Sequence, residues 1–182
     1  MRKLLIGVIW TLFIGFIGFS YGATVSIPDT TVDAGTTTVA IPINIDNATG
    51  VAGFQFTVTF DNNILNATGA TAGSLTSGWT VISNTNTPGE ITIAGFDPNV
   101  TGLSGGSGSL CVLQFNVVGN PGQSTNLVFT VSKLRDNQSN PIPSSSLNGT
   151  FTILQNETYN LTINIQPDEC TATTTPATGT HT

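Results

Sequence analysis

The chain has 182 residues, of which 8% are charged, and its formal net charge is −6. An acidic surface repels phosphate backbones and anionic lipid headgroups, so nucleic acid and membrane surfaces are excluded as expected partners. The one histidine is His181, close to the C-terminus, whereas nucleophilic catalysis needs a base beside the nucleophile. We therefore expect a protein that is not an enzyme and needs no cofactor.

The first 22 residues have the pattern of a secretory signal peptide. A basic start at residues 1–3 precedes an apolar run from Leu4 to Phe19, and small residues follow. The run is short for a membrane span, which needs roughly 20 residues, although a retained anchor is the alternative. Cleavage after Gly22 or Ala23 predicts an extracellular or cell-surface protein that is not inserted in a membrane.

A strand near residues 51–65 organises the rest of the pattern. Its apolar side chains occupy every second position, which is typical of a strand with one buried and one wet face. They are Phe54, Phe56, Val58 and Phe60, and between them lie Gln55, Thr57 and Thr59. Several phenylalanines on one strand need a second sheet above them, so we expect this strand at the centre of a two-sheet core.

The other predicted strands are short and separated by Gly, Pro, Asn and Asp turns. They cover residues 24–27, 37–45, 79–82, 90–95, 110–118, 126–132 and 150–154. Residues 65–75, 97–108 and 135–149 are predicted to be links or loops. The pattern predicts an all-β fold, an antiparallel two-sheet sandwich or jelly roll of about nine strands, over residues 23–154.

Two further segments follow the sandwich. Residues 155–170 are predicted to add an extra C-terminal strand, because apolar and polar residues alternate from 157 to 166. Such a strand could be donated to a neighbouring subunit. Residues 171–182 are rich in Thr and Pro and are expected to be a disordered tail.

The polar groups of the sequence predict two covalent features. Cys111 and Cys170 are the only cysteines, and an oxidising compartment favours a disulfide between them. Two buried free thiols are the alternative. Seven Asn-X-Ser/Thr sequons are candidates for N-glycosylation: Asn47, Asn66, Asn99, Asn137, Asn148, Asn156 and Asn160.

Three carboxylates are candidates for catalysis or metal binding. Glycoside hydrolysis needs two positioned carboxyl groups, and the candidates are Asp61, Glu90 and Asp97. Asp61 sits at a turn, Glu90 follows a Pro-Gly pair and Asp97 begins a loop, which favours turn and solvent roles. Asp97 with loop carbonyls is a candidate calcium ligand, but the spacing fits no recognised loop, and we expect no bound metal.

Several short segments occur in a fixed order from about residue 24 to 154. They are Gly53-Phe54 through Phe60-Asp61 to Leu65, Gly73-Ser74-Leu75, Pro88-Gly89-Glu90-Ile91, Asn140-Pro141-Ile142-Pro143 and Asn148-Gly149-Thr150-Phe151. Together with the order of the strands, they are the basis of a resemblance to the cohesin family of extracellular jelly-roll modules. It implies a module that docks a secreted, dockerin-like partner.

The resemblance also implies where the partner binds. The outward residues of three strands correspond to the sheet that cohesins use for docking: Gln55, Thr57, Thr59, Thr92, Gln114 and Asn116. The best-studied family members carry polar or acidic contacts on the outer face of the central strand, and this chain departs from them with small uncharged residues. An ordinary solvated face is the alternative.

Two other functions remain open. The chain could be a structural subunit that polymerises with copies of itself by strand donation, with an intersubunit disulfide. It could also be a carbohydrate-binding module, for which Trp79 and Tyr159 are the candidate aromatic residues.

Overall fold

The computed structural model describes residues 22–156, and within that range they form twelve strands in two stacked sheets. The predicted signal peptide, the predicted strand at 157–166 and the Thr/Pro-rich tail lie outside the described residues, apart from Gly22. In chain order the strands are β1 (Ala23–Ser26), β2 (Thr30–Val32), β3 (Thr38–Ile45), β4 (Gly53–Thr59), β5 (Leu65–Ala72), β6 (Thr80–Asn84), β7 (Glu90–Phe96), β8 (Gly108–Val117), β9 (Ser124–Arg135), β10 (Pro141–Ile142), β11 (Ser144–Leu147) and β12 (Gly149–Ile153).

The first sheet has the strand order β11-β1-β3-β8-β5, and the second has the order β2-β12-β9-β4-β7-β6, with β10 added beside β9. Most neighbours are antiparallel, and the exceptions are the short parallel pairs β1–β11 and β2–β12. The two-sheet, all-β sandwich predicted from the sequence is confirmed. Among the described residues, no helix is long and apolar enough to cross a membrane.

Two predicted links contain strands. Residues 65–75 provide β5, which pairs with β8 and has a bulge between Ala67 and Gly69. Gly and Ala have low strand preference, but the hydrogen-bonding edge of β8 overrides it. Residues 135–149 provide β10 and β11. Each residue of β11 is exposed, so main-chain hydrogen bonds rather than a buried apolar face stabilise that strand. The strand could therefore not be predicted from alternation of apolar and polar residues.

The core lies between the two sheets and is centred on β4, as predicted. Phe54, Phe56 and Val58 point inward, and Phe56 is fully buried. Its ring centroid lies 5.0 Å from that of Phe54 and 5.7 Å from that of Phe129. Each such side chain stabilises the fold by about 1.5–3 kcal/mol through burial, so β4 contributes strongly to the cohesion of the two sheets.

A close approach of backbone and ring fixes the end of β4. Phe54 pairs with Gly95 on β7, and a Cβ on Gly95 would overlap the outer edge of the Phe54 ring. The ring of Trp79 stacks on Phe54 with centroids 6.3 Å apart. Trp79 is half-buried and packs against the core. Gly95 therefore gives the aromatic side chains the space they need beneath β7.

Candidate interaction face

The side of the second sheet that faces away from the core is the candidate interaction face, called here the outer face. It is formed by β9, β4, β7 and β6, whose register places Gln55 between Lys133 and Ala94, and Thr57 between Val131 and Thr92. Its residues are Val128, Val131, Lys133 and Arg135 on β9, Gly53, Gln55, Thr57 and Thr59 on β4, Glu90, Thr92, Ala94 and Phe96 on β7, and Thr80, Ile82 and Asn84 on β6.

The centre of the outer face is a hydrogen-bonded threonine pair. The hydroxyl oxygens of Thr57 and Thr92 lie 3.1 Å apart across β4 and β7. Beside them, β9 has a bulge, and the Thr130 hydroxyl donates to the Thr57 carbonyl at 3.3 Å. Thr57 is only 7% exposed because its neighbours crowd it. The centre is therefore flat, uncharged and held in place by cross-strand contacts.

The predicted set of six face residues is divided by the structure. Gln55, Thr57, Thr59 and Thr92 share the outer face, but Gln114 and Asn116 lie on β8, in the first sheet. The prediction that all six form one face was wrong. Alternation along a strand tells which side chains point away from the core, but it does not tell which of the two sheets a strand joins.

One end of the outer face is a groove of about 420 Å³. Gly53 forms its floor, and its cross-strand neighbours Phe96 and Arg135 stand on either side. Phe96 is 49% exposed, and Val100, from the following loop, is 56% exposed. Because Gly53 has no side chain, the groove stays open between an apolar wall and a basic wall.

The basic wall consists of Lys133 and Arg135, both exposed. Arg135 Nη1 donates to the Ser139 carbonyl at 3.0 Å. The nearby Asp136 carboxylate instead accepts hydrogen bonds from Gln138 and Asn140. The hydrogen bonds from Asn140 are the main cause that lowers the pKa of Asp136, and the charge of Arg135 contributes least. Both cations line the groove.

Asp97 has a structural role at the start of the loop after β7. Its carboxylate accepts the backbone N–H of Asn99 at 2.9 Å, and the N–H and hydroxyl of Thr101 at 2.9 and 2.8 Å. The N–H of Gly102 also donates, at 3.0 Å. The Asn99 hydrogen bond is the largest cause that lowers the pKa of Asp97 to about 2, followed by the Thr101 hydroxyl. Oδ2 therefore accepts three of these hydrogen bonds and Oδ1 accepts one, so the carboxylate holds the start of the loop in place.

The other carboxylates considered for catalysis also match local roles. Asp61 accepts hydrogen bonds from the backbone and side-chain nitrogens of Asn63 at 2.8 and 2.9 Å, as expected for a turn residue. Glu90 begins β7 and is partly exposed. Within residues 22–156, no group of three or more His, Cys, Asp and Glu side chains is placed to hold a metal ion.

Cys111 is fully buried in the core on β8. Burial raises the pKa of its thiol to about 12, so the sulfur is protonated and shielded from reagents. Cys170 lies outside the described residues, and the disulfide remains a prediction. A bond to Cys111 would require the second sulfur to enter the core between the sheets, which favours the alternative of a buried thiol.

The sequons are accessible where the structure describes them. The asparagines at six of the seven are exposed: Asn47, Asn66, Asn99, Asn137, Asn148 and Asn156. Asn160 lies outside the described residues. Asn137 borders the groove, and the side-chain oxygen of Asn148 accepts the Phe129 backbone N–H at 3.0 Å beside the bulge of β9. Glycan attachment at these positions remains a prediction.

Comparison with known proteins identifies the family. The family model described as the Cohesin domain matches residues 23–153. The chain belongs to the cohesin domain family. The resemblance stated from the sequence segments is confirmed, and the match covers the whole described sandwich. No curated protein sequence matches the chain significantly.

Solved cohesins have the same fold. A non-cellulosomal cohesin from the hyperthermophilic archaeon Archaeoglobus fulgidus is 24% identical, with a TM-score of 0.64 over 75% of this chain and 94% of that one. The sixth cohesin of scaffoldin B from Acetivibrio cellulolyticus, solved with a dockerin, is 20% identical, with a TM-score of 0.63 over 72% and 99%. A cohesin from a type I cohesin–dockerin complex of Clostridium thermocellum is 19% identical, with a TM-score of 0.63 over 74% and 95%.

The alternation of apolar and polar residues along the strands does not reveal the groove. Lys133 and Arg135 are two residues apart, which is the spacing that places side chains on one face of a strand. That signal was available, but the strand was predicted to end at residue 132. Phe96 and Val100 lie at the end of β7 and in a loop, where no alternation marks an exposed apolar residue.

Proposed function

We propose that the chain is a secreted, non-catalytic cohesin-like module that binds a dockerin-like protein through its outer face. Membership in the cohesin domain family supports this proposal, as do the dockerin complexes of two of the similar cohesins. In this reading the module mediates protein–protein assembly outside the cell. The signal-peptide pattern of residues 1–22 supports export.

The observation that carries the proposal is the exposed apolar surface of the second sheet. Ile82, Phe96 and Val100 are 59%, 49% and 56% exposed. Ile82 and Phe96 project from β6 and β7, and Val100 borders the same groove. Exposed apolar side chains grouped on one flat surface are more typical of an interaction site than of an ordinary solvated face.

The composition of the outer face favours binding rather than catalysis. Its central threonines are uncharged and bonded to each other. The carboxylates of Asp61 and Asp97 accept hydrogen bonds from their own turns. A sheet surface whose centre carries no charge and which exposes apolar side chains shares the depletion of charged residues found at the centre of protein–protein interfaces.

The carbohydrate-binding alternative has less support. Trp79 is the described aromatic candidate, and its ring stacks on Phe54 and packs against the core. It is therefore not an open platform for a sugar ring. The filament alternative depends on the segment 157–170, which lies outside the described residues.

A binding array tests the proposal. The chain without residues 1–22 is applied to an array of purified dockerin domains, and positive pairs are measured by calorimetry. We expect saturable one-to-one binding to at least one dockerin, with a Kd of about 1 μM or tighter, equivalent to roughly 8 kcal/mol. If no dockerin binds and electron microscopy shows filaments of the chain alone, the filament alternative replaces the proposal.

A further inference from the structure

The charges of the chain are distributed unevenly with respect to the outer face. Beyond residue 3, the only basic residues are Lys133 and Arg135, and both belong to the groove at the Gly53 end. The carboxylate on the outer face is Glu90, at the other end of β7. Six residues of strand place it about 20 Å from Phe96. A partner that lies along the face therefore meets the cations at one end only.

Hydrogen-bonding capacity distinguishes the cations from the two acidic residues that also border the groove. Asp97 and Asp136 accept hydrogen bonds from their own loops, so their acceptor positions are largely used. Arg135 has five N–H donors, of which Nη1 bonds the Ser139 carbonyl. Lys133 has three more. The groove thus offers donors to a ligand, and an acceptor is the complementary group.

The wall of the groove opposite the cations offers an apolar surface to a ligand. Phe96 and Val100 are exposed there, and Ala94 adds a small apolar surface on β7. Phe96 and Arg135 flank Gly53 from the two neighbouring strands, so their backbones are about 10 Å apart. One short segment of a partner can reach both walls at once.

From this arrangement we propose that the groove binds a partner segment in which an Asp or Glu carboxylate lies close to an aliphatic or aromatic side chain. The carboxylate binds Lys133 and Arg135, and the apolar side chain packs on Phe96 and Val100. This inference rests on the proposed docking function and assigns the chemistry of the partner: its contact surface is acidic and apolar, and it belongs to a separate protein.

Selection from a random peptide library tests the assignment. The library is selected on the full chain without residues 1–22, and enriched peptides are synthesised and titrated by calorimetry. We expect them to share an Asp or Glu within two residues of an apolar side chain. Their affinity should fall about tenfold in Lys133→Gln/Arg135→Gln, and should also fall between about 50 mM and about 500 mM NaCl because salt screens exposed charges.

Matched variants test whether a loss of affinity is caused by the charge of Lys133 and Arg135 rather than by misfolding or by a general loss of docking. Asp33→Asn changes one exposed charge in the turn between β2 and β3, outside the outer face, and should alter affinity less than about twofold. Lys133→Glu/Arg135→Glu should lose the acidic peptides and bind versions in which Lys replaces the acid. That exchange shows that the variant is folded and that charge decides the binding.

Three results would overturn the assignment. They are enriched peptides that lack carboxylates, equal affinity for wild type and Lys133→Gln/Arg135→Gln, and no enrichment at all. If peptides are enriched that lack carboxylates or bind the Lys133→Gln/Arg135→Gln variant equally well, they are tested on Gln55→Trp, which blocks the outer face. Loss of their binding there means that docking on the outer face stands and that only the proposed partner chemistry is wrong. If neither peptides nor dockerin domains respond to outer-face variants, the docking function fails as well. Asp168 and Glu169 are acidic residues of the C-terminal segment of this chain. If peptides bind only when both are neutralised in Asp168→Asn/Glu169→Gln, the groove is assigned to that segment instead of a separate partner.

Discussion

The contact between Gly95 and Phe54 gives a sharp test of the packing beneath the outer face. In Gly95→Ala, the new Cβ would overlap the outer edge of the Phe54 ring, at Cζ and the two Cε atoms. That ring cannot easily move, because it is 4% exposed and stacks on Phe56 and Trp79. Overpacking of this kind costs about 1–3 kcal/mol. Replacing a glycine within a strand by alanine stabilises the fold by about 0.5–1 kcal/mol, so we expect a net destabilisation of up to about 2.5 kcal/mol.

Gly53→Ala is the matched control on the neighbouring strand. Its Cβ would meet the Gly95 carbonyl oxygen at 3.4 Å and the Arg135 Cβ at 4.0 Å, which are ordinary contacts. The control keeps the gain from removing a strand glycine and avoids the clash, so it should be neutral or more stable by up to about 1 kcal/mol. The two variants should therefore differ by about 1–3 kcal/mol, the cost of overpacking alone.

Urea denaturation of the two variants measures this difference. With an m-value of about 2 kcal/mol per molar urea, the midpoints should differ by roughly 0.5–1.5 M. Gly95→Ala/Phe54→Leu should recover part of the loss, because a smaller side chain vacates the space of the ring. If Gly95→Ala is as stable as Gly53→Ala, the close packing of Phe54 over β7 is wrong.

Three further predictions concern the core and the loops. Phe56→Ala should destabilise the fold by about 3–5 kcal/mol in urea denaturation, because the ring is fully buried; a loss below about 1 kcal/mol would contradict a core centred on β4. In Cys170→Ser, a thiol reagent should leave Cys111 unmodified in the native protein and react with it in denaturant, since burial raises the pKa of that thiol to about 12; rapid native labelling would refute its burial. The pKa of Asp97 is lowered to about 2 in the folded state, so the stability that its carboxylate contributes is present above its ordinary pKa of 3.8 and lost as the pH falls through about 2. Thermal unfolding should therefore show Asp97→Asn as the less stable protein at neutral pH and the gap closing in acid; a gap that does not depend on pH would exclude the ionised carboxylate as its cause.

The sequence predicted the centre of the fold because local pattern and tertiary environment agree there. Phe54, Phe56 and Val58 alternate with polar residues, and all three are buried. The same agreement holds on β7, where Ile91 and Ile93 point inward as expected. The alternation along a strand with one apolar face predicts both that the segment is a strand and which of its faces points to the core.

Strands at the margins of the sheets carry no such signal. Ser144–Leu147 forms β11 through parallel pairing with β1, although its residues are all exposed. Leu65–Ala72 forms β5 from residues that favour turns, because β8 offers a partner. Main-chain hydrogen bonds to a distant strand stabilise both elements, and a local pattern does not contain that information.

The composition of the outer face was predicted in part for a related reason. Outward positions on β4 and β7 were assigned correctly, since Gln55 and Thr92 share one surface. Gln114 and Asn116 were assigned to the same surface, but β8 pairs with β3 and β5 in the other sheet. The order of strands in a sheet depends on long-range pairing, which a single sequence pattern does not specify.

Docking of a partner on the outer face of the second sheet is tested most directly by two matched tryptophan variants. Gln55→Trp places a bulky ring on that face, and Gln114→Trp makes the identical change on the outward side of the first sheet. The measurement is the affinity of both variants for a dockerin domain that binds the wild type. We expect that Gln55→Trp loses at least about 2 kcal/mol of binding free energy, roughly thirtyfold in affinity, and that Gln114→Trp binds like the wild type. Retained binding by Gln55→Trp together with loss in Gln114→Trp would contradict docking on the outer face.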